Sequence, residues 1–318
     1  SYAPAEWSFS TYARPFTSVA AATRGWEDTG SDAHMHCVEE ALWAALVENA
    51  VFTKSSGATE AEWAGTNVQS TTSGLTVGFG GSNVSNLKVL DIYFVMGQGT
   101  FDAATHMLYK LEGAVVNSAS IDFDIDGIST INWSGFASMI TDHDTLPVVT
   151  IDEGKDATNN FIRNRLTTLT ATATATAPIV GTYTLTLTGG SISFENNITF
   201  LTPETLGVIN QPIGHVTGTR NIGGSFTCYL SNSSVASADL FEDLIESTST
   251  ITNDFNLVFD IGGTSSPTMK VTLPTCHLEV PTHSIEDVIS LETTFHALPS
   301  TIGGTDEATI VYVGPVPA

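Results

Sequence analysis

Two kinds of spacing between hydrophobic positions run along this chain, and each predicts a different element. In short runs such as 6–12, apolar and polar residues alternate, which is typical of a strand with one buried face. At about 35–49 and 237–246, apolar residues instead recur every three or four positions, which predicts amphipathic helices. Because runs of the first kind are far more numerous, the sequence predicts an α+β fold that is mostly β.

Each predicted helix has one apolar side with which it would pack against a sheet. The first helix is expected to be capped by Ser31 or Asp32, whose short polar side chains suit a helix N-terminus. The expected packing residues are Val38, Leu42 and Leu46 in the first helix and Leu240 and Leu244 in the second.

The alternating runs predict strands in both halves of the chain. In the first half they cover 6–12, 75–79, 87–96, 107–116, 119–125 and 128–133. In the second half they cover 169–177, 183–187, 192–200, 224–229, 255–259, 269–273, 285–294 and 308–313. The stretch 51–74 is polar and without a clear period, which predicts a long loop that makes a functional contact.

The net charge narrows what the protein can do. The 318 residues include 34 Asp and Glu against 10 Lys and Arg, a formal net charge of −24. Such a chain repels phosphate, which excludes a free-standing DNA-binding or RNA-binding protein. Hydrophobic residues make up 42% of the chain and charged residues 14%, which excludes an acidic disordered tail. No apolar run approaches the roughly 18–20 residues of a membrane-spanning helix, so we expect no membrane partner.

The order of predicted elements in the first half is repeated in the second. The segment FDIDGISTINWSGFA at 123–137 aligns with HSIEDVISLETTFHA at 283–297, an offset of 160 residues. In each half a strand, a loop, a helix and two longer strands precede this segment. We therefore predict two tandem copies of one module, each a sheet with one flanking helix, in residues 1–150 and 151–318.

Three segments of the chain resemble the tail tube proteins of long-tailed bacteriophages. They are YAPAEWSFSTYARPF at 2–16, ENNITFLTPETLGVINQPIGHVTGTR at 195–220 and VPTHSIEDVISLETTFHALPS at 280–300. The resemblance implies a β-sandwich or half-barrel in each module, flanked by a helix. It also implies a structural role in the virion, in which inner sheets join into one barrel, subunits form rings, and rings stack into the tube through which phage DNA is ejected.

The resemblance links the repeat to the size of the ring. In this family a single module forms hexameric rings, and a duplicated module forms trimeric rings with pseudo-sixfold symmetry. We therefore expect a homotrimer, with a hexamer as the alternative if the repeat is false. The other expected partners are further tail proteins and passing DNA that is not specifically bound. The expected location is the virion tail, with the host cytoplasm as the place of assembly.

Three acidic residues are the candidates for lining the lumen of such a tube. Asp122, Asp124 and Asp126 alternate with apolar residues, which predicts a strand with one acidic face and one apolar face. The same residues match the first half of a calcium-binding loop, but Trp133 occupies the twelfth position, where that loop needs Glu. An acidic lumen would repel phosphates and let DNA slide, whereas the alternative is that the acidity only serves solubility.

The stretch 51–74 is the candidate for contacts between stacked rings, because stacking needs a segment that reaches along the tube axis. The residues expected to make these contacts are Thr53, Glu60, Trp63 and Asn67. The scarce cations Arg163, Arg165 and Arg220 are candidates for pairing with carboxylates across an interface, with plain solubility as the alternative.

No motif predicts catalysis or a cofactor. The chain has no Gly-x-Ser-x-Gly elbow and no GxxxxGK[ST] sequence, so we expect it not to be an enzyme. His34, His36 and Cys37 offer metal ligands near a helix start, but packing is the better interpretation.

A β-rich adhesion or carbohydrate-binding module is the alternative function from another class. Aromatic rings at a surface can stack on sugars, which requires that they be exposed. The candidates are Trp7, Trp26, Trp63 and Trp133.

Overall fold

The structure is a computed structural model of the whole chain. It describes residues 3–17, 34–48, 51–54, 61–64, 67–80, 87–97, 106–145, 160–173, 181–204, 206–207, 212–246, 255–285 and 289–315. Within these ranges most residues lie in β-strands and two segments are α-helical, which confirms the predicted fold class.

The strands alternate along the chain with only short helical segments. The elements of the first half are β1 (Ala5–Tyr12), β2 (Pro15–Thr17), β3 (Met35–Cys37), α1 (Glu40–Val47), β4 (Val51–Lys54), β5 (Ala61–Ala64), β6 (Val68–Ser70), β7 (Leu75–Gly78), β8 (Leu90–Met96), β9 (Met107–Asp124), β10 (Thr130–Ala137) and β11 (Met139–Asp142). Those of the second half are β12 (Thr168–Ala173), β13 (Thr182–Leu185), β14 (Leu187–Glu195), β15 (Ile198–Leu201), β16 (Gly214–Thr217), β17 (Asn221–Tyr229), α2 (Ser237–Glu246), β18 (Phe255–Ile261), β19 (Thr268–Leu278), β20 (Thr282–Ile285), β21 (Ile289–Ala297) and β22 (Thr309–Val313).

The architecture is organised around one antiparallel sheet. Its strands follow in the order β1-β10-β9-β14-β17-β21, which we call the central sheet, and the path then continues through β19 and β18 to β12 and β13. Along each central strand alternate side chains are buried, as the period of two requires. The buried face is formed mainly by large apolar side chains: Trp7, Trp133, Ile121, Phe194, Phe226 and Phe295.

A second layer covers the buried face of the central sheet. Strand β19 pairs with β21 only through its last residues, and its first residues pair with β18 and β22. The ring of Phe259 on β18 lies 5.8 Å from that of Phe123 and 5.5 Å from that of Phe295. Helix α1 places Trp43 with its ring centroid 4.8 Å from Trp133. The result is one main core to which both halves of the chain contribute.

Helix α1 is shorter than the sequence pattern predicts. It begins at Glu40, because Met35–Cys37 pairs with β2 and forms strand β3 instead of a helical turn. Val38 therefore lies in a turn before the helix with 43% of its surface exposed, and its prediction as a packing residue is wrong. Leu46 is buried, and Leu42 is partly buried against the core.

Helix α2 spans the residues that the sequence predicts, 237–246. Leu240 and Leu244 are buried in the core. The hydroxyl of Tyr183, on β13, donates a hydrogen bond to Asp243 and ties the helix to that strand. The predicted caps of the first helix, Ser31 and Asp32, lie outside the described residues.

The segment 51–74 contains strands where the sequence predicts only a loop. Strands β4 and β5 form a hairpin, and β6 pairs with β7, which in turn pairs with β22 near the C-terminus. The prediction of a loop is therefore wrong over these strands. The pattern missed them because their residues are mostly small or polar. Their alternation therefore shows little hydrophobic contrast.

The two halves use the same strand pairings in the same chain order. In the first half β1 pairs with β10, β10 with β9, and β9 with β8 and β11. In the second half β17 pairs with β21, β21 with β19, and β19 with β18 and β22. Tyr12 lies opposite Thr130, and Tyr229 lies opposite Ser290, which is the residue 160 positions after Thr130. The predicted boundary near residue 150 falls outside the described residues.

A carboxyl group is buried where the start of α1, in the first half of the chain, meets β22, in the second half. Glu39, just before α1, is fully buried, and neither of its carboxyl oxygens has a well-formed hydrogen bond to another described residue. Burial raises the pKa of Glu39 to about 7, and the neighbouring Glu40 adds to the rise, while the Tyr312 hydroxyl on β22 partly offsets it. The same hydroxyl accepts a hydrogen bond of 2.7 Å from Trp43 Nε1, which joins α1 to the last strand.

A partly buried cation closes the C-terminal end of α1. Arg220, just before β17, donates to the carbonyl oxygens of Val47 (3.1 Å) and Phe79 (3.0 Å) and to Asn196 Oδ1 (3.1 Å). A cation at this end satisfies helix carbonyls that have no partner within the helix and favours the helix dipole. Desolvation lowers the pKa of Arg220. Arg220 therefore holds the chain together internally, and the prediction that it pairs across an interface is wrong.

Replacing Glu39 is expected to remove a pH dependence of stability. The pKa of Glu39 is about 7 when folded and near 4.5 when unfolded, so its contribution is fully present below pH 4.5 and is lost as the pH rises to about 7. The total is about 3 kcal/mol, at about 1.4 kcal/mol per pH unit. Urea unfolding of Glu39→Gln should show a flatter profile between pH 5 and 7 than the wild-type chain. The exposed Glu292→Gln is the control, and an unchanged slope in Glu39→Gln would contradict this account.

Removing Arg220 is expected to destabilise the whole fold. Arg220→Ala leaves buried carbonyl groups of α1 and the Phe79 segment without donors, at a cost of about 3 kcal/mol. Arg165→Ala, which removes an exposed guanidinium, should change the free energy of unfolding by less than about 0.5 kcal/mol. Equal effects of the two substitutions in urea unfolding would rule out the role assigned to Arg220.

Candidate functional site

The face of the central sheet that points away from the core is a continuous polar surface. Residues directly opposite each other on neighbouring strands form transverse rows, because the strands are in register. We call these rows the polar face. They consist of Ser8, Ser134, Ser118, Glu195 and Asn221; Ser10, Asn132, Ser120, Ser193, Gly223 and His296; Tyr12, Thr130, Asp122, Ser191, Ser225 and Thr294; and Asp124, Gly189, Thr227 and Glu292.

Side chains of the polar face bind one another across the strands. Ser118 and Ser134 share a hydrogen bond of 2.7 Å, and Ser10 donates to Asn132 Oδ1 at 2.6 Å. Asn132 in turn donates to Asp122. Hydroxyl groups that are already paired with each other offer few free donors to a molecule that passes over them.

The charge of the polar face has one sign. Its rows hold the carboxylates of Asp122, Asp124, Glu195 and Glu292 and no Lys or Arg. Elsewhere in the described chain, lysines lie beside carboxylates: Lys110 Nζ is 3.0 Å from Asp91 and Lys270 Nζ is 3.1 Å from Asp260. A phosphate on this face would meet acids and hydroxyls but no ammonium or guanidinium group.

Two of the three predicted lumen residues lie on a strand, and the third lies just beyond its end. Asp122 and Asp124 lie on β9 and project from the polar face. Asp126 lies beyond the end of β9 in an exposed bend, where Asp124 Oδ1 accepts a hydrogen bond from Gly127 N–H. The strand therefore ends at Asp124, one residue before the end of the predicted strand 119–125. Among the described residues no His, Cys, Asp or Glu side chains are grouped as a metal ion would need.

The residues predicted for ring stacking lie at separate places. Thr53 lies in β4 and Trp63 in β5, whereas Glu60 is outside the described residues. Asn67 is held inside the chain, since its N–H donates to Glu48 Oε1 at 3.2 Å and its Nδ2 donates to Glu48 Oε2 at 3.0 Å.

The tryptophans proposed for sugar stacking include two that cannot reach a ligand. Trp7 and Trp133 lie on the buried face of the central sheet, where 7% and 1% of their surfaces are exposed. They were predicted as exposed aromatics, but the period of two places them with the core. Trp26 lies outside the described residues, and Trp63 lies on the β4–β5 hairpin.

One prominent feature is missing from the sequence predictions. Strands β15 and β16 form a separate two-stranded hairpin between β14 and β17. The pattern at 192–200 predicts one strand, whereas the chain leaves the central sheet at Asn196 and Asn197 and enters the hairpin. At this break Asn197 has a positive φ of 50°. Asn adopts the left-handed region more readily than most residues, so the Asn at this position is the signal in the sequence.

The described residues thus form a mostly antiparallel β protein with one extended polar face. Comparison with known families agrees, because the phage tail tube protein family matches residues 17–311. The chain therefore belongs to the phage tail tube protein family. It is also similar to the tail tube protein pb6 of Escherichia phage T5, with 28% identity over 98% of this chain. The chain spans 61% of the length of that relative.

No helix among the described residues is long and apolar enough to cross a membrane. 

Proposed function

We propose that this chain is a subunit of a phage tail tube and that its polar face lines the lumen through which DNA is ejected. The observation that carries the proposal is a face of six adjoining strands that is polar, acidic and without Lys or Arg. Membership of the tail tube family supplies the assembly in which such a face has a use.

The acidity of the face explains how DNA could move past it. Proteins that hold DNA do so with cations that displace the counterions of the phosphates. A lumen lined by carboxylates and paired hydroxyls offers no such exchange, so DNA that enters it is not retained. Passing DNA is thus a transient partner without a specific binding site.

The matching strand pairings of the two halves support a duplicated module and a trimeric ring. Each half contains the pairings of β1, β10, β9 and β8 or their counterparts β17, β21, β19 and β18, with one helix after the first strand. Three chains then supply six modules with pseudo-sixfold symmetry. Strand β1 has one partner strand among the described elements, which leaves an edge where a neighbouring copy can add.

The remaining parts of the proposal follow from the tube. The chain would stack in rings with further copies of itself, contact other tail proteins at the ends of the tube, and be located in the virion tail after assembly in the host cytoplasm. A carbohydrate-binding role has no support, because Trp7 and Trp133 are buried.

Imaging of the purified chain tests the assembly directly. We expect electron micrographs to show hollow rings or tubes whose end views have threefold symmetry with six similar lobes. True sixfold symmetry with one whole chain in each lobe would contradict the trimer, because such a ring contains six chains. A particle that remains monomeric at high concentration would contradict the tube itself.

Cations placed on the polar face are expected to make assembled tubes hold DNA. Ser193→Lys with Glu195→Lys should make short duplex DNA co-sediment with tubes at low salt, and this binding should weaken steeply as salt increases. The matched control is Ser234→Lys with Glu242→Lys at exposed positions on and before α2, which changes the charge by the same amount. Equal DNA retention by both variants would mean that overall charge, not the lining of the lumen, decides the effect.

A further inference from the structure

The hairpin of β15 and β16, here called the arm, is poorly supported by its own chain. Ile198 and Phe200 on its inner side pack near Phe136, with the rings of Phe200 and Phe136 6.3 Å apart. On its outer side, Val216 lies opposite Thr199, and Leu201 opposite Gly214. Two strands alone are marginally stable in water, so an exposed apolar side of such a hairpin indicates a contact with something else.

The outer side of the arm and its tip expose large apolar side chains. Leu201, Val216 and Ile213 expose 44%, 51% and 71% of their surfaces. The segment 198–217 contains only two ionisable residues, Glu204 and His215. In a chain of net charge −24, copies repel one another wherever carboxylates face each other. A nearly uncharged apolar arm is therefore suited to a contact between copies.

The register of the central sheet places the arm at one end of the strands. The arm follows Glu195 and returns to Asn221, which lie opposite each other at the last and first positions of β14 and β17. Tyr12, Asp124 and Tyr229 lie at the other end of their strands, which we call the turn end. The arm and the turn end are thus at opposite ends of one sheet.

The turn end has an apolar surface of its own. Exposed side chains there are Tyr12, Ile125, Ile128, Tyr229 and Ile289. A cleft of about 550 Å³ opens here, and it is lined by Tyr12, Phe123, Ile128 and Asn164 and by the carboxylates of Asp122, Asp124 and Asp126. Asn164 Oδ1 is buried beside this cleft and has no hydrogen-bond partner among the described residues. The turn end therefore joins exposed apolar side chains to an acidic cleft, which an arm with almost no charge of its own can meet without repulsion between carboxylates.

We propose that the arm of one copy docks on the turn end of a second copy in the next ring. The inference rests on the proposed function and assigns the stacking contact to the arm. Surfaces at opposite ends of a sheet make a head-to-tail contact, which does not close on itself and so repeats without limit along an axis.

Single carboxylates placed on each surface test the contact. Val216→Asp alters the arm, Ile125→Asp alters the turn end, and Ile245→Asp on α2 is the control, since 52% of Ile245 is exposed against 51% of Val216. A buried carboxylate weakens each docking contact by about tenfold or more. We therefore expect Val216→Asp and Ile125→Asp to form single rings with few tubes, whereas Ile245→Asp forms tubes like the wild-type chain. Thermal unfolding of each variant checks that the fold is retained.

Mixing the two variants tests the direction of the contact. A ring of Ile125→Asp has an intact arm, and a ring of Val216→Asp has an intact turn end, so mixed samples should form pairs of rings in electron micrographs. Each variant alone should remain as single rings.

Three outcomes would overturn the inference. Tubes of normal length from Val216→Asp would show that the arm does not carry stacking. Folded monomers without rings from Val216→Asp would show that the arm makes contacts within a ring instead of between rings. A mixture without ring pairs would show that the two surfaces do not meet. If the wild-type chain forms no rings at all, the proposed function fails instead.

Discussion

The alternation of side chains along the central strands is the constraint on which the rest of the structure depends. One face of the sheet packs against Trp43, Phe259 and their neighbours, and the other meets solvent. A shift of one residue in any strand would exchange the two faces, so burial of the apolar face also fixes the composition of the polar face. The surface assigned to the lumen is in this sense a by-product of how the core is packed.

Close backbone contacts help to hold that register. At the bulge between Ser134 and Gly135 the strand changes its pairing with β9. A Cβ atom on Gly135 would come within 2.0 Å of the carbonyl oxygen of Val115 and 2.6 Å of the Trp7 ring, so only glycine fits there. Gly224 is similar, since a Cβ would meet the carbonyl oxygen of Ser191 at 2.0 Å. These sites bring neighbouring strands together where a side chain would push them apart.

The sequence predicts local structure well where hydrophobic and polar positions contrast strongly. It predicts structure poorly where contacts with residues far away in the sequence determine the conformation. Helix α2 and strand β22 lie where their patterns place them because Leu240, Leu244, Ile310 and Tyr312 differ sharply from their polar neighbours. Val38 fits a helical pattern, yet pairing of β3 with β2 draws the chain into a strand first. The burial of Glu39 and the partial burial of Arg220 could not be predicted from their residue types alone, since charged residues are usually exposed. The rows of the polar face likewise depend on register, which a single strand does not encode.

The pairing of β22 with β7 has a consequence for how the chain comes to be folded. The strand that completes the sheet beside α1 consists of residues 309–313, and its Tyr312 hydroxyl is the partner of Trp43 in the first half. The core of the first half therefore depends on a strand that is made only after residue 308. A polypeptide broken off before Thr309 lacks this strand and leaves Trp43 without its bond. Residues that are nearly 270 positions apart in the sequence, Trp43 and Tyr312, therefore have to be present together for this part of the core to form.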